Sequence, residues 1–181
     1  MLKKKTSGAY SSVTAVKKKV SGAWSDASTV YKKASGAWSL AWTPSWTFER
    51  AEGSTAWCTC TDTVAKITVV DNNYDYTTIK TPERPLKTGD VITVNVSALI
   101  KTNSTHTTKA YCYIVTNVYN ALVSFTTAGT YTNQTYSHTI TTNGNAYLRV
   151  QMYGTDDVPN RDAYIQINWV KINDYQVFPV Q

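Results

Sequence analysis

Thr142-Asn143-Gly144-Asn145-Ala146-Tyr147-Leu148-Arg149-Val150-Gln151-Met152-Tyr153 is the stretch that decides the fold class. Asn143-Gly144 is a strong tight-turn signal, because both residues tolerate the positive φ of a two-residue hairpin loop. After it the chain alternates. Leu148, Val150 and Met152 oppose Tyr147, Arg149, Gln151 and Tyr153, and a period of two is that of a half-buried strand. The pattern recurs upstream. Ile92, Val94 and Val96 share one side against Thr93, Asn95 and Ser97, and Cys112 and Ile114 oppose Tyr111, Tyr113 and Val115. Each strand thus offers one apolar face to an opposing sheet and one polar, aromatic face to its surroundings.

Further strand-like runs extend the pattern to 65–70, 91–99, 110–115, 121–126, 136–142, 146–153 and 163–172. Turn clusters separate them, including Lys87-Thr88-Gly89-Asp90, Ala128-Gly129-Thr130 and Asp156-Asp157-Val158-Pro159-Asn160. Seven or eight short strands predict an all-β sandwich, or jelly roll. Composition agrees. Thr, Val, Tyr and Ile together make 69 of the 181 residues, whereas Leu, Glu and Met make 11. Helical bundles and doubly wound α/β folds need the opposite balance. No run approaches 18 apolar residues, so no membrane-crossing helix is expected. The basic opening 1–5 runs into Thr-Ser-Gly-Ala-Tyr-Ser-Ser, which is not the apolar core of a standard secretory signal.

Charge divides the chain. Residues 1–42 hold eight lysines and one acid, Asp26, and so carry +7, leaving 43–181 at −1 of the net +6. The basic part is a repeat. Gly8, Gly22 and Gly36 recur every 14 residues, and Lys3-Lys4-Lys5-Thr6-Ser7-Gly8-Ala9-Tyr10 aligns without gaps with Lys17–Trp24 and Tyr31–Trp38. Each unit reads as a lysine-rich strand, a Ser-Gly turn and a strand opened by Tyr10, Trp24 or Trp38. A lone hairpin is marginal in water, so such units need neighbours. The reading is of two regions: a basic repeat arm, 1–44, for assembly or attachment, and a β-sandwich, 45–181, beginning near Pro44, which cannot donate to a central ladder. The assembly contacts are expected at Gly8, Tyr10, Gly22, Trp24, Gly36 and Trp38.

The repeat pattern, with its matching residues at 16–24 and 30–38 and a degenerate copy ending at Tyr10, resembles repeats of structural proteins in tailed bacteriophages, notably tail, fibre and head-fibre components. That resemblance implies a virion location, contacts with other virion proteins and a homo-oligomer, a trimer by analogy with fibres.

A second resemblance spans 48–178. Thr88-Gly89-Asp90-Val91-Ile92-Thr93-Val94, Tyr136-Ser137-His138-Thr139-Ile140, Leu148-Arg149-Val150-Gln151-Met152 and the closing Ile165-Gln166-Ile167-Asn168-Trp169-Val170-Lys171-Ile172 are similar to jelly-roll carbohydrate-binding modules. Here Asn168 stands where the closing acid is usual, and Tyr136 where Trp is usual. The resemblance implies a host-surface polysaccharide as partner. Independently, aromatic rings stack on the apolar faces of sugars while amide, guanidinium and carboxylate groups bond the hydroxyls. Tyr111, Tyr113, Arg149, Gln151 and Tyr153 are the candidate glycan-binding residues, provided that their strands are neighbours.

No catalytic constellation is legible. His106 and His138 sit in Thr/Ser-rich surroundings and read as ordinary strand or loop residues. Phosphate loops, dinucleotide fingerprints, nucleophile elbows and paired-His metal motifs do not occur. The protein is therefore expected not to be an enzyme and to need no cofactor or metal. The cysteines, Cys58, Cys60 and Cys112, fit no zinc spacing and read as buried or half-buried free thiols. The lysine triplets offer phosphate contacts, but the near-neutral body argues against nucleic acid as partner. A stand-alone glycan-binding adhesin without a virion role is the alternative.

Overall fold

The computed structural model describes residues 3–6, 9–12, 17–20, 23–26, 30–34, 37–42, 46–70, 75–102, 106–154, 162–173 and 175–179, the strands before residue 46 by their backbone pairing. The repeats form three antiparallel hairpins: β1 (Lys3–Thr6) with β2 (Ala9–Ser12), β3 (Lys17–Val20) with β4 (Ala23–Asp26), and β5 (Val30–Ala34) with β6 (Ala37–Trp42). The register is the same in each. Lys5 faces Tyr10, Lys19 faces Trp24 and Lys33 faces Trp38. Each hairpin is a two-stranded sheet of its own. The Ser-Gly turns, with Gly8, Gly22 and Gly36, lie outside the described residues, as do Pro44 and the Asp156–Asn160 cluster.

From Trp46 onward two antiparallel sheets pack face to face. The chain runs through β7 (Glu49–Gly53), β8 (Cys58–Cys60), β9 (Ala65–Thr68), β10 (Tyr76–Lys80), β11 (Arg84–Leu86), β12 (Val91–Ile100), β13 (Lys109–Val115), β14 (Tyr119–Phe125), β15 (Gly129–Thr139), β16 (Gly144–Tyr153), β17 (Tyr164–Ile172) and β18 (Tyr175–Phe178). The first sheet has the order β14-β13-β16-β10-β7, with β11 also on β16. The second has the order β15-β12-β17-β9-β8, with β18 also on β17. The expected sandwich is present with more strands than were legible, and no α-helix occurs among the described residues.

Alternation places the core as expected. Ile79, Cys112, Ile114, Leu148, Val150 and Met152 of the first sheet meet Ile67, Ile92, Val94, Val96, Ile165 and Val170 of the second, all essentially buried. Trp46, Phe48, Trp57 and Phe178 complete the cluster, Phe48 and Phe178 meeting edge to face at 5.1 Å. Such aromatic contacts add about 0.5–1.5 kcal/mol beyond the area they bury.

Three sequence expectations need correction. Asn143-Gly144 does not close a hairpin: β15 and β16 belong to different sheets, Gly144 already opens β16, and neither residue has a positive φ. The segment crosses between the sheets instead, where Asn143 Oδ1 accepts a hydrogen bond from the Thr88 backbone N–H. Ala128-Gly129-Thr130 is not a break after Ala128, because Gly129 already pairs with Ile100 and opens the 11-residue β15. The partner β12 runs ten residues, to Ile100, and its ladder carries β15 back past the glycine. The strand expected over 136–142 is thus the end of a longer one that stops at Thr139. The three cysteines are free. Cys112 is in the core, and Cys58 and Cys60 share a half-buried face of β8. Burial, then Cys58 beside it and then Glu49, push the Cys60 thiol up to about 12.

Candidate functional site

The outer face of the first sheet gathers the candidate residues. β13 and β16 are adjacent, with Tyr111 opposite Gln151, Tyr113 opposite Arg149 and Lys109 opposite Tyr153. Because the side chains of a strand alternate, Tyr111, Tyr113, Arg149, Gln151 and Tyr153 come out on one side while Cys112, Ile114, Val150 and Met152 go into the core. All five predicted residues are therefore brought together.

The structure adds neighbours that the sequence did not single out. On β10, Tyr76 lies opposite Tyr153, Thr78 opposite Gln151 and Lys80 opposite Arg149. β7 sets Glu52 against Thr78, and the β13–β14 hairpin delivers Tyr119. The tyrosine rings form a continuous strip. Tyr76 to Tyr153 is 5.7 Å between centroids, and Tyr153 to Tyr111, Tyr111 to Tyr113 and Tyr113 to Tyr119 are each 5.9 Å. The strip crosses four strands, from β10 to β14, and four of its rings, Tyr76, Tyr113, Tyr119 and Tyr153, line a groove of roughly 540 Å³ together with Glu52, Arg149 and Gln151. Tyr119 is 59 % exposed, so its ring remains available to a ligand.

One polar bridge spans the groove. The Arg149 guanidinium donates through Nη2 to Glu52 Oε2 at 3.0 Å and through Nη1 to the Tyr119 hydroxyl at 3.2 Å, with the ring of Tyr119 5.7 Å away. Since Glu52 is on β7 and Arg149 on β16, the ion pair crosses over β10 between them. Thr78 lies on that middle strand, fully buried, and its hydroxyl has no hydrogen-bond partner. A half-exposed ion pair of this kind contributes at most about 1 kcal/mol to folding, so its main effect is to fix two charged groups above a sheet of aromatic rings. Burial pushes the Tyr113 phenol above its ordinary value; Tyr111 and Tyr153 add to the push and Arg149 opposes it. Burial likewise raises Tyr147, with Tyr119 adding to the shift. These hydroxyls stay protonated at neutral pH and are able to donate as well as accept.

The opposite outer face is different in kind. Asn168 is the extra residue where the β12–β17 register shifts, and its amide nitrogen donates to Asn95 Oδ1 at 2.7 Å, Ser97 Oγ at 2.8 Å and Asn133 Oδ1 at 3.1 Å. The Asn95 amide is in turn used on Asn133 O and Thr135 Oγ1. These polar groups serve one another. His138 is half-buried on β15 and His106 lies in a loop, with no grouping of three His, Cys, Asp or Glu able to hold a metal among the described residues.

The tyrosines that sequence reasoning missed had a weak signal. Tyr76-Thr77-Thr78-Ile79-Lys80 alternates but follows Asp71-Asn72-Asn73 and is only five residues long. Tyr119 precedes the run read as a strand from 121, and Glu49-Arg50-Ala51-Glu52-Gly53 has too many charges to read as β.

No family model and no curated protein matches the chain. One solved structure, described as "CBM4 structure and function", is similar over 70% of this chain and 77% of that one, at 14% identity and a TM-score of 0.31. So distant a likeness carries no functional information. No described helix is long and apolar enough to cross a membrane.

Proposed function

We propose that 45–181 is a non-catalytic glycan-binding module and that the arm, 1–44, anchors it in a phage particle as a fibre or decoration component. The observation that carries the first half is the tyrosine strip. Five rings, each in contact with the next, lie beside an amide, a guanidinium and a carboxylate on one sheet face. Rings supply flat apolar surface for sugar faces, and the polar groups between them fix orientation through hydroxyls. The test is a glycan array probed with the full chain at high valency. Host polysaccharide is bound, and Tyr111→Ala or Tyr153→Ala weakens it. A blank array counts against the reading, and cleavage of crude host envelope would overturn the non-catalytic part.

The second half rests on three hairpins of common register, each a separate two-stranded sheet. Such hairpins gain stability from a neighbouring copy or another chain. Homo-oligomers, trimers by the fibre analogy, are the expected state, with other virion proteins as partners. Deleting 1–42 is expected to leave a folded body that no longer assembles. If the truncated chain still enters particles, the arm is not the anchor. A full-length chain that binds glycan as a monomer and is absent from particles would instead favour the free-standing adhesin.

A further inference from the structure

The charges around the tyrosine strip are unequally satisfied. Lys80 and Arg149 are direct cross-strand neighbours on β10 and β16. Two like charges directly opposite each other destabilise a sheet unless an anion lies between them. Glu52 serves Arg149 at 3.0 Å but is not within ion-pair distance of Lys80. Glu49 is in register with Lys80, yet makes no ion pair with it; it lies near enough to Cys60, on the edge of the other sheet, to push that thiol up. A third cation, Lys109, is exposed on β13 opposite Tyr153, at the other end of the strip. It too has no acid within ion-pair distance among the described residues.

We infer that this outer sheet face takes an anionic polysaccharide, one whose carboxylates seat between Lys80 and Arg149 and beside Lys109, which flank the groove in register, while its sugar rings lie on the tyrosines. This rests on the glycan-binding reading and sharpens it from sugars in general to acidic ones. The two seats are four residues apart along the strands and two strands apart across the sheet, about 16 Å by strand geometry. That separation calls for an acid that recurs along the polymer rather than a single terminal charge. An incoming carboxylate also competes with Glu52 for Arg149, and its displacement from the bridge opens the space above the unpartnered Thr78 hydroxyl.

The test uses the full chain with polygalacturonate, the same polymer after carboxyl reduction, neutral xylan and laminarin, and poly(dT). Polygalacturonate is expected to bind best. Its affinity should fall by about tenfold or more between low salt and about 0.5 M NaCl, where screening is short-ranged. Lys80→Gln and Lys109→Gln should each weaken it by about tenfold, the scale of one charged hydrogen bond, with an unchanged unfolding transition. Equal or tighter binding of the carboxyl-reduced polymer, or of xylan or laminarin, overturns the anionic inference and leaves the glycan-binding reading standing. No binding to any of the four polysaccharides overturns both. Preference for poly(dT) assigns the strip to single-stranded nucleic acid, which also stacks on aromatic side chains within basic grooves, and refutes the proposal.

Discussion

Replacing Gly53 by alanine tests whether the edge of the groove is built as described. Gly53 closes β7 at φ +83°, and a Cβ there would lie 1.8 Å from the carbonyl oxygen of Tyr76 and 2.8 Å from the Cα of Thr77. Both obstacles are backbone, so no side chain is able to swing aside. Alanine in the left-handed region costs about 1–2 kcal/mol. Relieving the clash separates β7 from β10 and loses one or two ladder bonds at about 1 kcal/mol each. The total is about 2–4 kcal/mol, or a fall in Tm of roughly 5–15 °C for a chain of this size. Two other glycines calibrate the result. Gly89 has φ +91° but nothing within 4 Å of an added Cβ, so Gly89→Ala pays the backbone strain alone, about 1 kcal/mol. Gly144 has neither obstacle, and its alanine variant should stay within about 0.5 kcal/mol of the parent. Urea unfolding of the three variants should therefore rank Gly53 worst and Gly144 mildest. The consequence reaches the site, because Gly53 lies between Glu52 and the strand bearing Tyr76. A Gly53→Ala protein no less stable than Gly89→Ala would refute the close β7–β10 approach.

Three other outcomes are expected. Asn168→Asp should destabilise more than Asn168→Ala at pH 7, by about 1 kcal/mol or more in urea unfolding, since it turns a donor that meets three oxygens into a fourth acceptor. Those oxygens raise the folded pKa of the new carboxyl, so the excess is present at neutral pH and shrinks as pH falls toward 4; an excess that does not shrink refutes the assigned donor. Burial holds the Cys112 thiol above its ordinary value of 9.0. The folded state therefore keeps its proton while the unfolded chain loses it. The stabilisation is whole below about pH 9 and declines above, by up to about 1.4 kcal/mol per pH unit; a stability–pH curve for Cys112→Ala should lack that increment. In native protein at pH 8, mass spectrometry after iodoacetamide should find Cys112 unlabelled, and labelling before unfolding would contradict its place in the core.

Much of the sandwich was legible because its central strands obey a strict period. Ile92, Val94 and Val96, and Leu148, Val150 and Met152, all point into the core they were assigned to. The pairing of β13 with β16, on which the candidate site depends, was a condition that sequence could not supply. It is a long-range choice, made by shape and register across some 40 residues of chain. The edge strands were invisible for a related reason. β7, β8, β11 and β18 are three to five residues long, too short for a period to declare itself. β7 also owes its place to Gly53 and to pairing with β10 rather than to β propensity. Glu52 came into view only with β7, and Tyr76 only with β10, an interior strand that is also just five residues long. Asn168 shows the converse: its chemistry depends on a register shift, and alternation alone does not announce one.

On this reading the ligand lies on the tyrosine-bearing outer face of the first sheet. Backbone amide chemical shifts of the full chain, recorded while the tightest-binding polysaccharide of the panel is titrated in, address it most directly. The largest changes are expected at Tyr76, Tyr113, Arg149, Gln151 and Tyr153, with Thr93, Ser97 and Lys171 on the opposite face unmoved. Shifts concentrated on that second face, or none at all at saturating polymer, would contradict it.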